Sequence, residues 1–282
     1  MNQYAHPEVL VDTQWLADHL HDPKVRILEV DMSPEPYKEA HIPGAVFWNS
    51  LTDVFQPDLR LNLQTDAIAP LLARSGITDE TTVVAYGSYP GTGAWILWFL
   101  NVIGHRHVRV LNGGHQKWLA EGRPISSELS TFPPTHYQPK PLDTSLRVAK
   151  DDVLAAINDP QRVLVDARTL PEYTGEVFLM KPPENGERAG HIPGAVHLEH
   201  TLTLNADGTF KSFDELETLF TSRGVTPDRE VFPYCAVGGR SAYMWFVLKY
   251  LLGYPRVRNY DGSWNEWSRL ADIPIAQGSQ PG

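Results

Sequence analysis

The sequence has little of three things: cysteine, basic charge and long apolar runs. Its 282 residues include one cysteine, so no intrachain disulfide can form, and cysteine-rich zinc or iron–sulfur sites are excluded. A single thiol is typical of a reducing compartment, and we expect a cytoplasmic protein. Eleven histidines are present, but no pair has a metal-ligand spacing such as HExxH, so we predict no metal site.

The charge balance limits the possible partners. There are 24 basic and 34 acidic residues, and the net charge is −10. A chain this acidic lacks the basic field that nucleic acids and anionic membranes attract, so we predict neither as a partner. A small anionic substrate stays possible, because a local pocket can be positive on a negative protein.

No segment of the sequence has the features of a membrane span or a signal peptide. The strongly apolar stretches at 95–100 and 244–248 are far too short to cross a bilayer. The first twenty residues lack a basic segment followed by a continuous apolar core, so we expect no signal peptide.

The sequence is internally repeated. "AHIPGAVFW" at 40–48 returns as "GHIPGAVHL" at 190–198, and the blocks at 81–104 and 229–253 correspond in the same order. Residues 123–145 carry five prolines and little periodicity. We therefore predict two tandem domains, at 1–125 and 146–282, joined by a proline-rich linker at 126–145.

Strand and helix patterns alternate within each repeat. Short β-branched runs at 25–31, 82–86 and 108–112 are typical of buried parallel strands. Thr65 and Ser212 are candidate caps of two helices that end near Gly76 and Gly224. The alternation predicts an α/β fold, with a mostly parallel sheet flanked by helices in each domain.

The only cysteine follows a predicted strand, in "YCAVGGRSAYMWFVL" at 234–248. A lone cysteine at a strand end is otherwise most often a buried apolar residue. Here Gly238 and Gly239 allow a tight turn into a helix, whose N–H groups and neighbouring Arg240 would stabilise a thiolate. We predict that Cys235 is a nucleophile, and that Ala236, Val237, Gly238, Gly239 and Arg240 surround its substrate.

The first repeat offers an internal comparison. With no gap, Gly87 aligns with Cys235 and Thr92 aligns with Arg240. The nucleophile and its cation are both missing, so we predict that the first domain has no chemistry of this kind.

Together these residues resemble the two-domain rhodanese sulfurtransferases. The resemblance rests on the duplicated "HIPGA", on "CAVGGRS" and on "NYDGSWNEW", and it covers nearly the whole chain. It implies that Cys235 takes a sulfane sulfur from a small anionic donor as a persulfide and passes it to cyanide or a thiol, without a cofactor. It also implies that Arg168, in "DAR", faces the site and helps to bind the donor.

The donor is less clearly specified. Thiosulfate enzymes of this family carry basic residues after the cysteine, where this chain has Ala236, and mercaptopyruvate enzymes carry C-G-S-G. Glu172 stands where mercaptopyruvate enzymes tend to have an arginine, and we expect it to repel a carboxylate. We therefore favour thiosulfate, with 3-mercaptopyruvate as an alternative.

Two further functions stay open. A cysteine-based phosphatase or arsenate-type reductase is disfavoured, because related phosphatases have five residues between cysteine and arginine and this chain has four. A persulfide carrier or regulatory module that acts only with a protein partner is the other. The sequence does not fix the oligomeric state, and we favour a monomer.

Overall fold

The structure is a computed structural model that describes residues 3–179, 181–184 and 186–282. The chain divides into two units. The N-terminal unit comprises Pro7–Asp143 and Leu204–Phe210, and the C-terminal unit comprises residues 3–6, Thr144–Thr203 and Lys211–Gly282. Each unit is an α/β layer structure, so the prediction of two α/β domains with parallel sheets is confirmed.

The N-terminal unit is built on a five-stranded parallel sheet. Valine, isoleucine and leucine fill its strands because both faces of a parallel sheet are covered by helices. In the central strand pair, Leu28 lies opposite Ala85 and Glu29 lies opposite Tyr86. The strand order is β1-β5-β4-β2-β3. The strands are β1 (Leu10–Val11), β2 (Val25–Asp31), β3 (Val46–Asn49), β4 (Thr82–Tyr86) and β5 (Val108–Leu111), and the helices are α1 (Thr13–Asp18), α2 (Glu35–Glu39), α3 (Thr65–Arg74), α4 (Thr92–Val102) and α5 (Gly114–Ala120).

The C-terminal unit repeats this arrangement with shorter strands. Its three parallel strands are ordered β7-β6-β8, and isolated parallel bridges from Val231 to Val257 and from Asn259 to Arg147 extend the sheet in the same sequence as the first one. The strands are β6 (Arg162–Asp166), β7 (Val196–His197) and β8 (Glu230–Tyr234), and the helices are α6 (Lys150–Ala156), α7 (Leu170–Thr174), α8 (Phe213–Thr221), α9 (Gly239–Phe246) and α10 (Ser263–Trp267).

The helix ends follow the sequence signals in one case and differ in the other. Ser212 caps α8 in a reciprocal pair with Glu215, as predicted. The prediction for Thr65 is wrong, because Thr65 is the first helical residue and the preceding Gln64 makes no side-chain cap. Gly76, just past the end of α3, has the left-handed φ of +67° that a helix terminator needs.

The first HIPGA turn is fixed to the end of β4. Nδ1 of His41 lies 2.6 Å from the carbonyl of Tyr37, and the two rings stack. The Ile42 N–H donates to the hydroxyl of Tyr86, the last residue of β4, at 3.2 Å. The turn therefore holds the strand end from which the next loop departs, and His41 has a structural role in it.

The second HIPGA turn has the same contacts. Nδ1 of His191 lies 2.8 Å from the carbonyl of Tyr173, again with stacked rings. The Ile192 N–H donates to the hydroxyl of Tyr234 at 3.1 Å. Tyr234 ends β8 and precedes the cysteine, so this turn fixes the position of the candidate nucleophile.

Residues 126–143 run along the N-terminal unit as extended chain. Ser126 pairs with His41, the Thr135 N–H donates to Ala73, and the Asp143 N–H donates to Val102. In the described part of the chain, no helix combines the length and the apolar character required to cross a bilayer.

Candidate active site

Cys235 lies directly after β8, at the carboxyl edge of the C-terminal sheet, where ligands bind in open α/β folds. Its side chain is 1 % exposed. The Cys235 N–H donates to Oγ of Ser263 at 3.0 Å, and its carbonyl accepts from the Trp264 N–H at 2.9 Å. The backbone on both sides of the thiol is therefore fixed by the start of α10.

The turn after the cysteine brings a backbone donor onto its sulfur. The Gly238 N–H donates to Sγ of Cys235 at 3.2 Å. Gly238 has a φ of +93° and precedes α9, and a Cβ at this position would lie 2.7 Å from the carbonyl oxygen of Asp261. Only glycine therefore fits where the loop turns into the helix.

The rest of the predicted loop connects the thiol to the start of α9. Ala236 is buried, and Val237 and Gly239 are partly exposed. The Asn265 N–H donates to the carbonyl of Ala236 at 2.8 Å, which anchors the loop a second time to α10. The structure thus brings Cys235 together with the predicted loop residues at one helix N-terminus.

Arg240 is bound to a carboxylate that the sequence analysis assigned to a different role. Its Nη1 and Nη2 each donate to one oxygen of Glu172 at 2.7 Å. Glu172 also accepts from the N–H and the hydroxyl of Thr169. We expected Glu172 to face the substrate as a repelling charge; instead its charge is compensated by Arg240, because α7 places it beside the start of α9.

The ion pair keeps both groups charged although it is buried. Glu172 is 4 % exposed. Burial alone would raise its pKa, but the hydrogen bonds and charge of Arg240 hold the pKa of Glu172 at about 2. Burial also opposes the charge on Arg240, whereas Glu172 and then Cys235 raise the pKa of that guanidinium. Both members of the pair are therefore charged across the physiological pH range.

Arg168 lies deeper than the resemblance implies. It is 1 % exposed, and it donates to both oxygens of Asp166 and to the carbonyl of Gly190. Its guanidinium lies 4.6 Å from the ring centroid of Trp264. The pair with Asp166 fixes the end of β6 beside the loop, and direct contact of Arg168 with a donor stays a prediction.

His200 is a buried residue near the site that the sequence analysis did not single out. Nδ1 of its ring lies 3.2 Å from the carbonyl of Ala167, and the ring packs edge-on against Tyr243 of α9. Burial, and next the positive charge of Arg240, lowers the pKa of His200 to about 4. The imidazole is therefore neutral at pH 7. His200 belongs to no motif in the sequence, so the sequence gave no indication that it lies near the site.

The corresponding loop of the N-terminal unit has no room for a nucleophile. A Cβ at Gly87 would lie 2.6 Å from the carbonyl oxygen of Val30 and 2.8 Å from Thr92. The helix cap is Gly91, with a φ of +96°, four residues after Gly87. The cap in the other unit, Gly238, follows Cys235 by three. The ungapped alignment is therefore wrong by one residue at the helix start.

The site contains no arrangement that would hold a metal ion. Among the described residues, no three histidine, cysteine, aspartate or glutamate side chains come together as a possible ligand group. The chemistry to be explained is that of one thiol, a backbone N–H that donates to its sulfur, and two arginine–carboxylate pairs.

The two repeats match one domain family. Residues 12–121 and residues 149–270 each match the rhodanese-like domain. The chain belongs to the rhodanese family. This confirms the resemblance seen in the HIPGA and cysteine-loop sequences, and the order of two rhodanese domains in one chain is that of the two-domain sulfurtransferases.

The similarity to known relatives extends over both rhodanese-like domains. The protein named "Sulfur carrier protein TtuD" of Thermus thermophilus is 46 % identical over 283 residues, covering 98 % of this chain and 99 % of the relative. A protein of Mycobacterium bovis named "Putative thiosulfate sulfurtransferase 1" is 40 % identical, covering 98 % of this chain and all of the relative. The sulfurtransferase class of the chain follows from these matches.

Solved structures give a further likeness. The structure of EanB superposes with a TM-score of 0.87 at 27 % identity, covering 99 % of this chain and 72 % of EanB. An anaerobic ergothioneine biosynthesis enzyme from Chlorobium limicola, in complex with trimethyl histidine, gives a TM-score of 0.86 at the same identity. The fold of the two rhodanese domains is thus shared with an enzyme whose natural substrate is trimethyl histidine.

Proposed function

We propose that this sulfurtransferase moves sulfane sulfur from thiosulfate to cyanide or a thiol through a persulfide on Cys235. The observation that carries the proposal is the surrounding of one thiol: the Gly238 N–H donates to its sulfur at 3.2 Å, at the N-terminus of α9 and at the carboxyl edge of the sheet. N–H groups at a helix N-terminus stabilise negative charge on sulfur.

The proposed reaction has two displacements at sulfur. The Cys235 thiolate attacks the outer sulfur of thiosulfate, a new S–S bond forms, the S–S bond of thiosulfate breaks, and sulfite leaves with the electron pair. Cyanide or a thiolate then attacks the outer sulfur of the persulfide, and the Cys235 thiolate leaves with the electron pair of the S–S bond. No net oxidation of the protein occurs, and ping-pong kinetics follow from the covalent intermediate.

Arg240 has donors left for the oxyanion end of the substrate. A guanidinium has five N–H donors, and Glu172 takes two of them. Its side chain is 23 % exposed, whereas that of Glu172 is 5 % exposed. We propose that the remaining N–H groups bind the sulfonate oxygens of thiosulfate, while the loop N–H groups bind the transferred sulfur.

The alternative donor is 3-mercaptopyruvate. The argument against it rested on repulsion by Glu172, and the pairing of Glu172 with Arg240 removes that argument. Because both oxyanions would bind the same guanidinium, the two donors must be compared directly on one preparation. Faster transfer from 3-mercaptopyruvate would reverse the preference.

The second candidate function is that of a persulfide carrier for a protein partner. It is favoured by the 46 % identity to a relative named as a sulfur carrier, and by the depth of a thiol that is 1 % exposed. A carrier would form the persulfide and release its sulfur only to that partner. Steady turnover with cyanide would rule out this version.

The test measures intact mass and turnover together. After incubation with thiosulfate, the protein is expected to gain one sulfur atom, which cyanide removes as thiocyanate. Cys235→Ser is expected to abolish both the gain and the turnover. Ser88→Ala, at the exposed position that follows Gly87 in the other repeat, is the matched control and is expected to retain both. A sulfur gain that survives in Cys235→Ser would refute the proposal.

A further inference from the structure

The side chain of Asn259 is a buried amide at a position where the other unit has an apolar residue. The stretch "VRNYDGS" at 257–263 corresponds to "VRVLNGG" at 108–114, so Asn259 stands where β5 has Val110. Both residues are buried, and Asn259 is 0 % exposed. Because valine satisfies the sheet in one unit, the fold by itself does not require an amide at this position.

The amide of Asn259 is also incompletely satisfied. Its Nδ2 donates to the carbonyl of Gly238 at 3.3 Å, whereas its Oδ1 has no hydrogen-bond partner in the part of the chain that the structure describes. A buried amide with one group unpaired lowers the stability of a fold relative to an apolar side chain of similar size. The asparagine therefore needs an explanation other than folding.

The hydrogen bond from Asn259 ties the cysteine loop to the sheet. The carbonyl of Gly238 also accepts from the Ala242 N–H and from Oγ of Ser241, each at 3.1 Å, but both of these donors belong to α9. Asn259 lies outside α9, and its backbone pairs with the chain at 146–148 at the edge of the sheet. Its amide thus holds the start of the helix against a rigid element.

The other unit, which has no nucleophile, lacks this tie. The corresponding carbonyl is that of Gly91, the cap of α4, and it accepts from the N–H groups of Ala94 and Trp95 within the same helix. The side chain of Val110 has no donor to offer it. The additional hydrogen bond therefore accompanies the cysteine and not the fold.

The direction of the Gly238 carbonyl determines where the next N–H group points. The peptide between Gly238 and Gly239 is trans and planar, so the Gly239 N–H points away from that carbonyl. It belongs to the first donors of α9, which face out of the helix toward the loop. The preceding N–H, that of Gly238, already donates to Sγ of Cys235 at 3.2 Å.

We infer that Asn259 is a positioning residue for the cysteine loop, whose amide keeps the N–H groups of Gly238 and Gly239 directed at the sulfur of Cys235. The two N–H groups stabilise the negative charge of the thiolate and of the persulfide. The inference rests on the proposed function. It explains why a buried, half-satisfied amide replaces valine behind this loop.

Two substitutions remove the amide and leave an apolar side chain in its place. Asn259→Val copies the other unit, and Asn259→Leu keeps the size of the side chain, so both are expected to resist urea as well as the unaltered chain or better. At pH 7, persulfide formation from thiosulfate and alkylation of Cys235 by iodoacetamide are expected to slow by about tenfold in both. Val110→Asn, the matched change in the other unit, is expected to lower resistance to urea and leave both rates unchanged.

The pH dependence of alkylation separates stabilisation of the thiolate from a loosened loop. Iodoacetamide reacts with the ionised thiol, so the midpoint of the rate–pH curve is expected to rise in Asn259→Val and Asn259→Leu, and all rates are expected to converge well above it. The charged side chains beside the loop are the same in every variant: Arg240, Glu172, Arg168 and Asp166.

The outcomes are distinct. Unaltered rates in Asn259→Val, a deficit that persists after the thiol is fully ionised, or a large loss of urea resistance in both variants would overturn the inference. If the unaltered chain forms no persulfide, the proposed function fails, and alkylation, which needs no sulfur donor, still tests the role of Asn259.

Discussion

The ion pair between Glu172 and Arg240 predicts a protein whose stability and donor affinity change in opposite directions when the pair is broken. Glu172→Gln keeps the shape of the side chain and removes its charge. The pKa of the carboxyl lies at about 2, against an ordinary value of 4.5. At about 1.4 kcal/mol for each pH unit, this difference is worth about 3 kcal/mol at neutral pH. Little of it is lost to solvent screening, because the Glu172 side chain is 5 % exposed.

The pH dependence has a definite sign. A carboxyl whose pKa is lowered by folding stabilises the folded state above its unfolded value of 4.5, and this contribution is lost as the pH falls toward 2. The unaltered chain is therefore expected to exceed Glu172→Gln in stability by about 3 kcal/mol at pH 7. The difference should shrink steadily below pH 4.5. The Arg240 charge persists throughout this range.

The single thiol provides a selective assay. Because Cys235 is the only cysteine, the urea concentration at which it becomes fully labelled reports unfolding of the C-terminal unit. Glu176→Gln, at an exposed glutamate near the same helix, is the matched control. In parallel, KM for thiosulfate is expected to fall severalfold in Glu172→Gln, because Arg240 is no longer neutralised. Equal stability of the two proteins at pH 7, or an unaltered or higher KM, would refute the reasoning.

Three other substitutions test the remaining geometry. Gly238→Ala is expected to destabilise the C-terminal unit by at least about 1 kcal/mol and to stop sulfur transfer, because the new Cβ would lie 2.7 Å from a carbonyl oxygen. The control is Gly194→Ala, at a residue that also has a positive φ, +77°, but has no atom within 4 Å of the added Cβ. This variant is expected to retain sulfur transfer. Burial raises the pKa of Glu29 to about 7, so the stability contributed by its protonated form is complete below pH 4.5 and is lost as the pH rises through 7. At pH 8.5, Glu29→Gln is therefore expected to be more stable to urea than the unaltered chain by up to about 3 kcal/mol. At pH 4.5 no such advantage is expected. Gly87→Cys in a Cys235→Ser background is expected to gain no sulfur from thiosulfate, and a mass gain would show that the first loop can also carry a persulfide.

The elements that the sequence predicted are those encoded by local patterns. The β-branched runs became β2, β4 and β5 because buried parallel strands need apolar residues on both faces. The cysteine loop was predictable because two glycines and an arginine between a strand and a helix leave few possible conformations. Ser212 was recognised as a cap from its place just before a helical pattern, and the structure adds its reciprocal partner Glu215.

The parts that escaped prediction depend on residues distant in sequence. Glu172 and Arg240 are 68 positions apart and meet only because α7 and α9 start at the same sheet edge. Motif spacing assigned each of them a role in isolation, so their mutual compensation was missed. The hydrogen bond between Ser263 and the Cys235 N–H was missed likewise, since the left-handed φ of Ser263 is a property of the folded turn and not of the letters "DGSW".

The charges of the site also constrain what the enzyme can recognise. Arg168 is neutralised by Asp166 and Arg240 by Glu172, so each of these arginines is paired with a carboxylate before any donor arrives. Attraction for a dianion must then come from the Arg240 N–H groups that Glu172 leaves unused and from the dipoles of the loop and the helix N-terminus, which act mainly at contact distance. Such a site distinguishes between sulfur donors by their shape and hydrogen-bond geometry rather than by long-range electrostatic steering. The rate of persulfide formation with thiosulfate should therefore depend only weakly on salt. A steep fall with ionic strength would instead point to an uncompensated cation at the entrance.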